Sequence, residues 1–111
     1  MTILTFNDYQ EAARKTAIYP QELKILYPVI GLAGETGEVA EKIKKVLRDN
    51  NGIFSEEKKK EIAKELGDVL WYLSSIATDM GYPLDEIARM NLQKISARKE
   101  NNHIHGDGDN R

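Results

Sequence analysis

Hydrophobic residues recur every three to four positions along most of the chain, the spacing typical of amphipathic helices. The clearest stripe predicts a helix over about 28–48, with Pro28 suited to its first turn. The same periodicity predicts a first helix that starts after Thr5 and continues to Tyr19–Pro20, a third over about 55–80 and a fourth over about 83–99. No segment has a convincing strand pattern. The sequence therefore predicts an all-α fold resembling a four-helix bundle.

The third predicted helix is apolar or aromatic nearly all the way round at residues 69–73. A helix that is apolar on every side must be covered on every side, and three neighbouring helices can cover it only in part. We therefore expect a homodimer formed through the central helices.

The chain of 111 residues is long enough for one hydrophobic core. We expect a single domain over 1–100. Residues 101–111, rich in Asn, Gly and Asp, have no core-forming pattern and predict a flexible tail.

Composition narrows the possible chemistry. The absence of cysteine excludes disulfides, thiol catalysis and cysteine-ligated metal sites. The only histidines, His103 and His105, lie in the predicted tail. A net charge of −2 and 7% aromatic residues argue against a nucleic-acid partner, and no apolar run is long enough for a membrane span. The sequence thus predicts a cytoplasmic protein whose chemistry rests on carboxylates, amines and hydroxyls.

Acidic pairs spaced three apart are common by chance in so acidic a chain, so their position matters more than their spacing. Glu35 lies at the edge of the apolar stripe of the second helix, and Glu38 lies about 60° further out. Glu65 and Asp68 flank the stripe of the third helix. If the two helices pack antiparallel, both pairs converge, and partial burial of four carboxylates favours neutralisation by a hard divalent cation.

Mg²⁺, or Mn²⁺ in its place, suits such a site, because a di-iron bundle would use Glu-x-x-His motifs that these helices lack. The alternative is a set of solvated acids on amphipathic helices. Four glycines near the acids indicate either close helix packing or ligand access: Gly31, Gly34, Gly37 and Gly67.

The fourth helix carries a polar line. Asn91 lies in the middle of its apolar face, with Lys94 and Arg98 on one flank. A buried asparagine needs hydrogen-bond partners, so these side chains could bind a phosphate chain. The alternative for the two cations is that their stems cover apolar surface while the charges reach solvent.

These residues resemble a known family. The segment 31–42, Gly-Leu-Ala-Gly-Glu-Thr-Gly-Glu-Val-Ala-Glu-Lys, and the segment 65–72, Glu-Leu-Gly-Asp-Val-Leu-Trp-Tyr, resemble the short single-domain MazG-like nucleoside triphosphate pyrophosphohydrolases. The family's Glu-x-x-Glu and Glu-x-x-Asp motifs match Glu35/Glu38 and Glu65/Asp68. Its later Asn-x-x-Lys and Arg match Asn91, Lys94 and Arg98, and its tail resembles residues 106–111.

The resemblance implies an all-α fold in which the four acids hold Mg²⁺ and act in catalysis. Asn91, Lys94 and Arg98 would bind substrate. It further implies cleavage of a nucleoside triphosphate between its α and β phosphates, in a homodimer or a tetramer built from dimers. The tail would fold over bound nucleotide.

Two other interpretations remain open at this point. One is a non-catalytic dimeric helical module that binds a partner helix or a nucleotide without turnover. The other is a Mg²⁺-dependent nucleotide phosphohydrolase that prefers dUTP or dCTP. Trp71 and Tyr72 could contact a base, although Trp71 suits core or dimer packing equally well.

Overall fold

A computed structural model describes residues 5–101. Within this range the chain forms four α-helices and one short 3-10 helix and contains no strand, which confirms the all-α prediction. None of these helices is both long enough and apolar enough to span a bilayer. The elements are α1 (Phe6–Arg14), the 3-10 helix (Gln21–Leu23), α2 (Leu26–Asp49), α3 (Glu56–Met80) and α4 (Leu84–Glu100).

The predicted helix-end signals act as expected. Thr5 Oγ1 accepts a hydrogen bond from the Asp8 N–H at 3.0 Å and caps α1. Ser55 Oγ accepts from the Lys58 N–H at 3.1 Å and caps α3. Gly81 ends α3 in the left-handed conformation, with φ 80°, which a residue without a Cβ adopts readily.

Two boundaries differ from the prediction. The first helix ends at Arg14, five residues before Tyr19, and the chain then passes through the 3-10 helix. The Tyr19 hydroxyl donates to Asp79 at 2.8 Å, and this distant contact replaces the further helical turn that apolar spacing favours. Helix α2 begins at Leu26, so Pro28 is its third residue, where the missing N–H would have had no partner within the helix.

Helices α2 and α3 form the main packed pair. Helices α1 and α4 pack at the C-terminal end of α3, and Gln10 connects the three elements. Gln10 Nε2 donates to Thr78 Oγ1 at 3.1 Å and to the Tyr82 carbonyl at 2.9 Å. Its Oε1 accepts from the Leu84 N–H at 2.8 Å.

The buried carboxylate of Asp79, close to the end of α3, fixes the approach to α2. Its oxygens accept hydrogen bonds from Arg14 Nη1 at 2.9 Å, from the Tyr19 hydroxyl at 2.8 Å and from the Ile25 N–H at 2.8 Å. Ile25 has φ 69°, which is unfavourable for a β-branched residue and persists only where its surroundings hold it. Burial alone would raise the pKa of Asp79, but these hydrogen bonds outweigh it and hold the pKa below its ordinary value.

The described part of the chain has few buried apolar side chains and many exposed ones. Ala13, Val46, Ala77 and Leu84 are its buried hydrophobic residues besides Pro28. A larger group of apolar residues on α3 and α4, which we call the apolar face, remains exposed: Leu66, Leu73, Met80, Met90, Leu92 and Ile95. Exposed apolar side chains at so many positions favour an interaction site on these helices.

Candidate functional site

Three carboxylates from two helices converge near the middle of the packed pair. Glu35 comes from α2, and Glu65 and Asp68 come from α3. One oxygen of each lies within 4.8 Å of the others. The helices run antiparallel here, since Gly31 lies beside Tyr72 while Glu35, further along α2, faces the earlier residues of α3. We call this group the acidic triad.

The fourth predicted acid, Glu38, lies outside the triad. It is exposed and lies one turn further along α2, at about 60° from Glu35 around the helix. The negative charge of Glu38 nevertheless helps to raise the pKa of Glu35. Glu38 therefore belongs to the rim of the site rather than to its centre.

The neighbouring acids of the triad act on Glu35 electrostatically. Loss of solvent raises the pKa of Glu35, and the negative charges of Asp68, Glu65 and Glu38 raise it further. Carboxylate oxygens are the donors that Mg²⁺ prefers, and a divalent cation removes the repulsion among them. The donor set thus fits a hard divalent ion.

Lys42 also reaches the site and was not among the predicted site residues. Its Nζ lies 4.0 Å from Glu65 Oε1, across the interface between α2 and α3. The signal was present in the sequence, because seven residues separate Lys42 from Glu35 and this spacing returns a side chain to nearly the same helix face. Lys42 therefore partly offsets the negative charge of the triad.

The glycines near the acids have different roles. A Cβ on Gly31 would overlap the ring of Tyr72, so close packing requires glycine there. A Cβ on Gly34, Gly37 or Gly67 would meet no atom within 4 Å. Packing within one chain therefore explains Gly31, whereas the other three face open space.

An aromatic cavity of about 300 Å³ lies beside Tyr72. We call it the aromatic recess; its lining consists of Thr16, Ile18, Tyr19, Pro20, Tyr27, Trp71 and Tyr72. Tyr72 adjoins the triad. Burial is the main cause that raises the pKa of its hydroxyl, followed by Tyr27 and then by the negative charges of Glu35 and Asp68. The sequence singled out Trp71 and Tyr72, but Tyr19 and Tyr27 lie at or next to the irregular segment, where no periodicity relates them to α3.

Two residues of the predicted polar line of α4 lie at a second groove. Asn91 and Lys94 line a groove of about 460 Å³ together with Met80 at the end of α3. Met80 is about 18 Å along α3 from Asp68 by helical rise. Arg98 is buried, with 7% of its surface exposed. Asn91 and Lys94 thus share a groove with the end of α3, and the predicted tail after Asn101 falls outside the described residues.

Known proteins resemble the chain over most of its length. A family model described as the MazG nucleotide pyrophosphohydrolase domain matches residues 26–103, which include the triad and α4. The "Gene 37 protein" of Mycobacterium phage L5 is 42% identical over 109 residues, covering 93% of this chain and 96% of that protein. Its name states no activity. No solved structure matches the chain.

Proposed function

Because the chain belongs to the MazG nucleotide pyrophosphohydrolase family, we propose that it hydrolyses nucleoside triphosphates between the α and β phosphates. The products are the nucleoside monophosphate and pyrophosphate. The observation that carries the proposal is the acidic triad, whose three carboxylates from α2 and α3 have oxygens within 4.8 Å of one another. A carboxylate cluster of this kind fits Mg²⁺, which commonly binds one or two carboxylates together with substrate phosphates.

Glu35, Glu65 and Asp68 would hold the Mg²⁺, or Mn²⁺ in its place, with Glu38 joining through water. When bound there, the ion neutralises phosphate charge and makes the attacked phosphorus and the attacking water more reactive. Lys42, next to Glu65, limits the repulsion between the triad and an incoming triphosphate.

The reaction needs a proton acceptor as well as metal ligands. Water forms a new bond to phosphorus, the bond to the bridging αβ oxygen breaks, and the proton of the water passes to a carboxylate. Glu38 suits this role because it is exposed on the rim of the triad and adjacent to Glu35. The other acids are engaged in the cluster, so Glu38 is the acid that we assign as base.

The direct test is a panel of ribo- and deoxynucleoside triphosphates, dUTP and dCTP included, incubated with Mg²⁺. Monophosphate and pyrophosphate are quantified separately from orthophosphate. We expect equal amounts of monophosphate and pyrophosphate, and none without the metal. Release of orthophosphate alone, or no turnover with any nucleotide, would contradict the proposal, and the latter would favour a non-catalytic binding module.

We further propose that the apolar face binds a second copy of the chain, giving a homodimer or a tetramer of dimers. We expect light scattering at micromolar concentration to give at least twice the mass of one chain. Leu73→Asp should yield monomer or aggregate, because it places a charge in the exposed apolar surface of α3. Ile53→Asp, at an exposed apolar position in the loop before α3, is the control and should leave the mass unchanged. A well-folded wild-type monomer would refute the proposal.

A second copy would also explain the position of Asn91, Lys94 and Arg98, for which we propose a role in substrate binding. The groove that Asn91 and Lys94 line is continuous with the apolar face through Met80, so the partner's groove can approach the triad in a dimer. We propose that these side chains serve the acids of the other copy, where cations stabilise phosphate charge.

Complementation between two inactive variants tests this arrangement. Asp68→Asn and Lys94→Ala subunits, each expected to be inactive alone, are mixed under conditions that exchange subunits. About half of the dimers should then be mixed and hold one complete site each, so activity should recover to about a quarter of the wild-type value. Activity that stays at the level of the separate variants after exchange would place Lys94 outside a shared site.

A further inference from the structure

We infer that the aromatic recess binds the nucleobase of the substrate by stacking and does not distinguish bases by their hydrogen-bonding edges. This inference rests on the proposed function and names what the site recognises besides the triphosphate. The recess is lined by Thr16, Ile18, Tyr19, Pro20, Tyr27, Trp71 and Tyr72.

The recess lies next to the acidic triad. Tyr72 lines it and follows Asp68 by one helical turn on the same face of α3. The ring of Tyr72 packs against Gly31, which precedes Glu35 by one turn of α2. A nucleotide whose phosphates reach the triad therefore has its base within about one or two helical turns, or 5–11 Å, of the recess.

The size and lining of the recess suit a flat ring. Its volume of about 300 Å³ is at the lower end for ligand pockets, which suits a base rather than a whole nucleotide. Tyr19 and Tyr27 stack with ring centroids 5.0 Å apart and planes 13° apart. Tyr27 keeps 44% of its surface exposed, so an aromatic ring can continue the stack on its open side.

The polar groups of the recess are largely used within the protein. Trp71 Nε1 donates to Thr16 Oγ1 at 2.8 Å, and the Thr16 hydroxyl donates to the Ala13 carbonyl at 2.7 Å. The Tyr19 hydroxyl donates to Asp79 at 2.8 Å.

Among the side chains of the recess, this leaves the hydroxyls of Tyr27 and Tyr72 for a ligand. Discrimination between bases normally needs several donors and acceptors that would be left unpaired by the wrong base. Stacking tolerates every base, because every base has a π face.

Trp71 makes binding measurable, because it is the only tryptophan of the chain and lines the recess. The probes are α,β-methylene analogues of ATP, GTP, CTP and UTP with Mg²⁺, which cannot be cleaved at the proposed bond. We expect a saturable change in tryptophan fluorescence with each analogue and none with inorganic tripolyphosphate, which has no base. Purine analogues should bind more tightly than pyrimidine analogues, and ATP and GTP analogues should agree within about threefold.

Variants of Tyr27 identify the stacking surface. Tyr27→Leu should weaken binding of all four analogues by about tenfold, as expected for loss of one aromatic face. Tyr27→Phe keeps the ring and should restore wild-type affinity. Phe54→Leu, which removes a partly exposed ring from the loop before α3, is the matched control and should bind as wild type does. Circular dichroism establishes that each variant is folded.

The outcomes separate this inference from the proposed function. Hydrolysis of nucleotides without any fluorescence change, or with unchanged affinity in Tyr27→Leu, would overturn the recess as the base site and leave the activity standing. A preference of more than about tenfold between the ATP and GTP analogues would overturn recognition by stacking alone. Saturable binding of the analogues without hydrolysis of any triphosphate would support the recess and reject the activity.

Discussion

Asp68→Asn is expected to reduce kcat for nucleoside triphosphate hydrolysis by more than about a hundredfold, because changes that only disturb the orientation of metal ligands already cost 10–100-fold. The substitution keeps the size of the side chain but removes one charge from the acidic triad. In the metal-free protein the free energy of unfolding should stay unchanged or rise, since one source of repulsion is gone. Steady-state kinetics at saturating Mg²⁺ and thermal denaturation measure both effects.

The matched control is Glu41→Gln, which neutralises an acid on the same helix as Glu35. Glu41 lies in an ion pair with Lys44 at 3.0 Å and is not among the converging acids. Its activity should remain within about threefold of wild type, as for a surface ion pair of small energetic weight. Equal losses in both variants would indicate a general charge effect, and activity near the wild-type level in Asp68→Asn would reject the metal site.

Asp79→Asn is expected to lower the free energy of unfolding by about 2–3 kcal/mol, because three donors converge on this buried carboxylate and an amide satisfies them poorly. The weakened bond from the Ile25 N–H would also hold its positive-φ backbone less firmly. Denaturant unfolding followed by circular dichroism measures the difference. Asp85→Asn, whose Oδ1 accepts one exposed bond from the Asn7 N–H at 3.2 Å, should cost less than about 1 kcal/mol.

The Asp79 contribution should also depend on pH. Its pKa in the folded chain lies below the ordinary value of 3.8, so the unfolded chain takes up the proton first as the solution is acidified. The stabilisation is complete above the ordinary value and is lost as the pH falls through the lower, folded value. The difference between wild type and Asp79→Asn should therefore narrow below about pH 4. A difference that stays constant to pH 2 would show that the charge of Asp79 is not what stabilises the fold.

Much of the fold follows from local signals in the sequence. Caps at Thr5 and Ser55 and the stop at Gly81 act within one turn, so they can be predicted without knowledge of the tertiary structure. The end of α1 could not be predicted in this way. Tyr19 bonds to Asp79, sixty residues away, and such a contact overrides the apolar spacing that favours a longer helix.

The acidic site was predictable in part for the same reason. Positions on two helices place Glu35, Glu65 and Asp68 toward one interface once antiparallel packing is assumed, and the structure brings those three together. Whether Glu38 joins them depends on small rotations of α2 that no pattern specifies. The groove in which Asn91 lies depends on the direction of α4 after the turn at 81–83, which side-chain periodicity does not encode.

The open glycines of α2 and α3 have a consequence for the engineering of thermostability. Each interior glycine lowers helix stability by about 1 kcal/mol relative to alanine, and at Gly34, Gly37 and Gly67 no neighbouring atom of the same chain would resist a methyl group. Alanine at these positions should therefore make the isolated helices more stable. Natural enzymes commonly forgo such gains where activity needs the space. Glycine at these three positions therefore keeps open a space near the acids that a larger side chain, favoured by helix stability, would occupy.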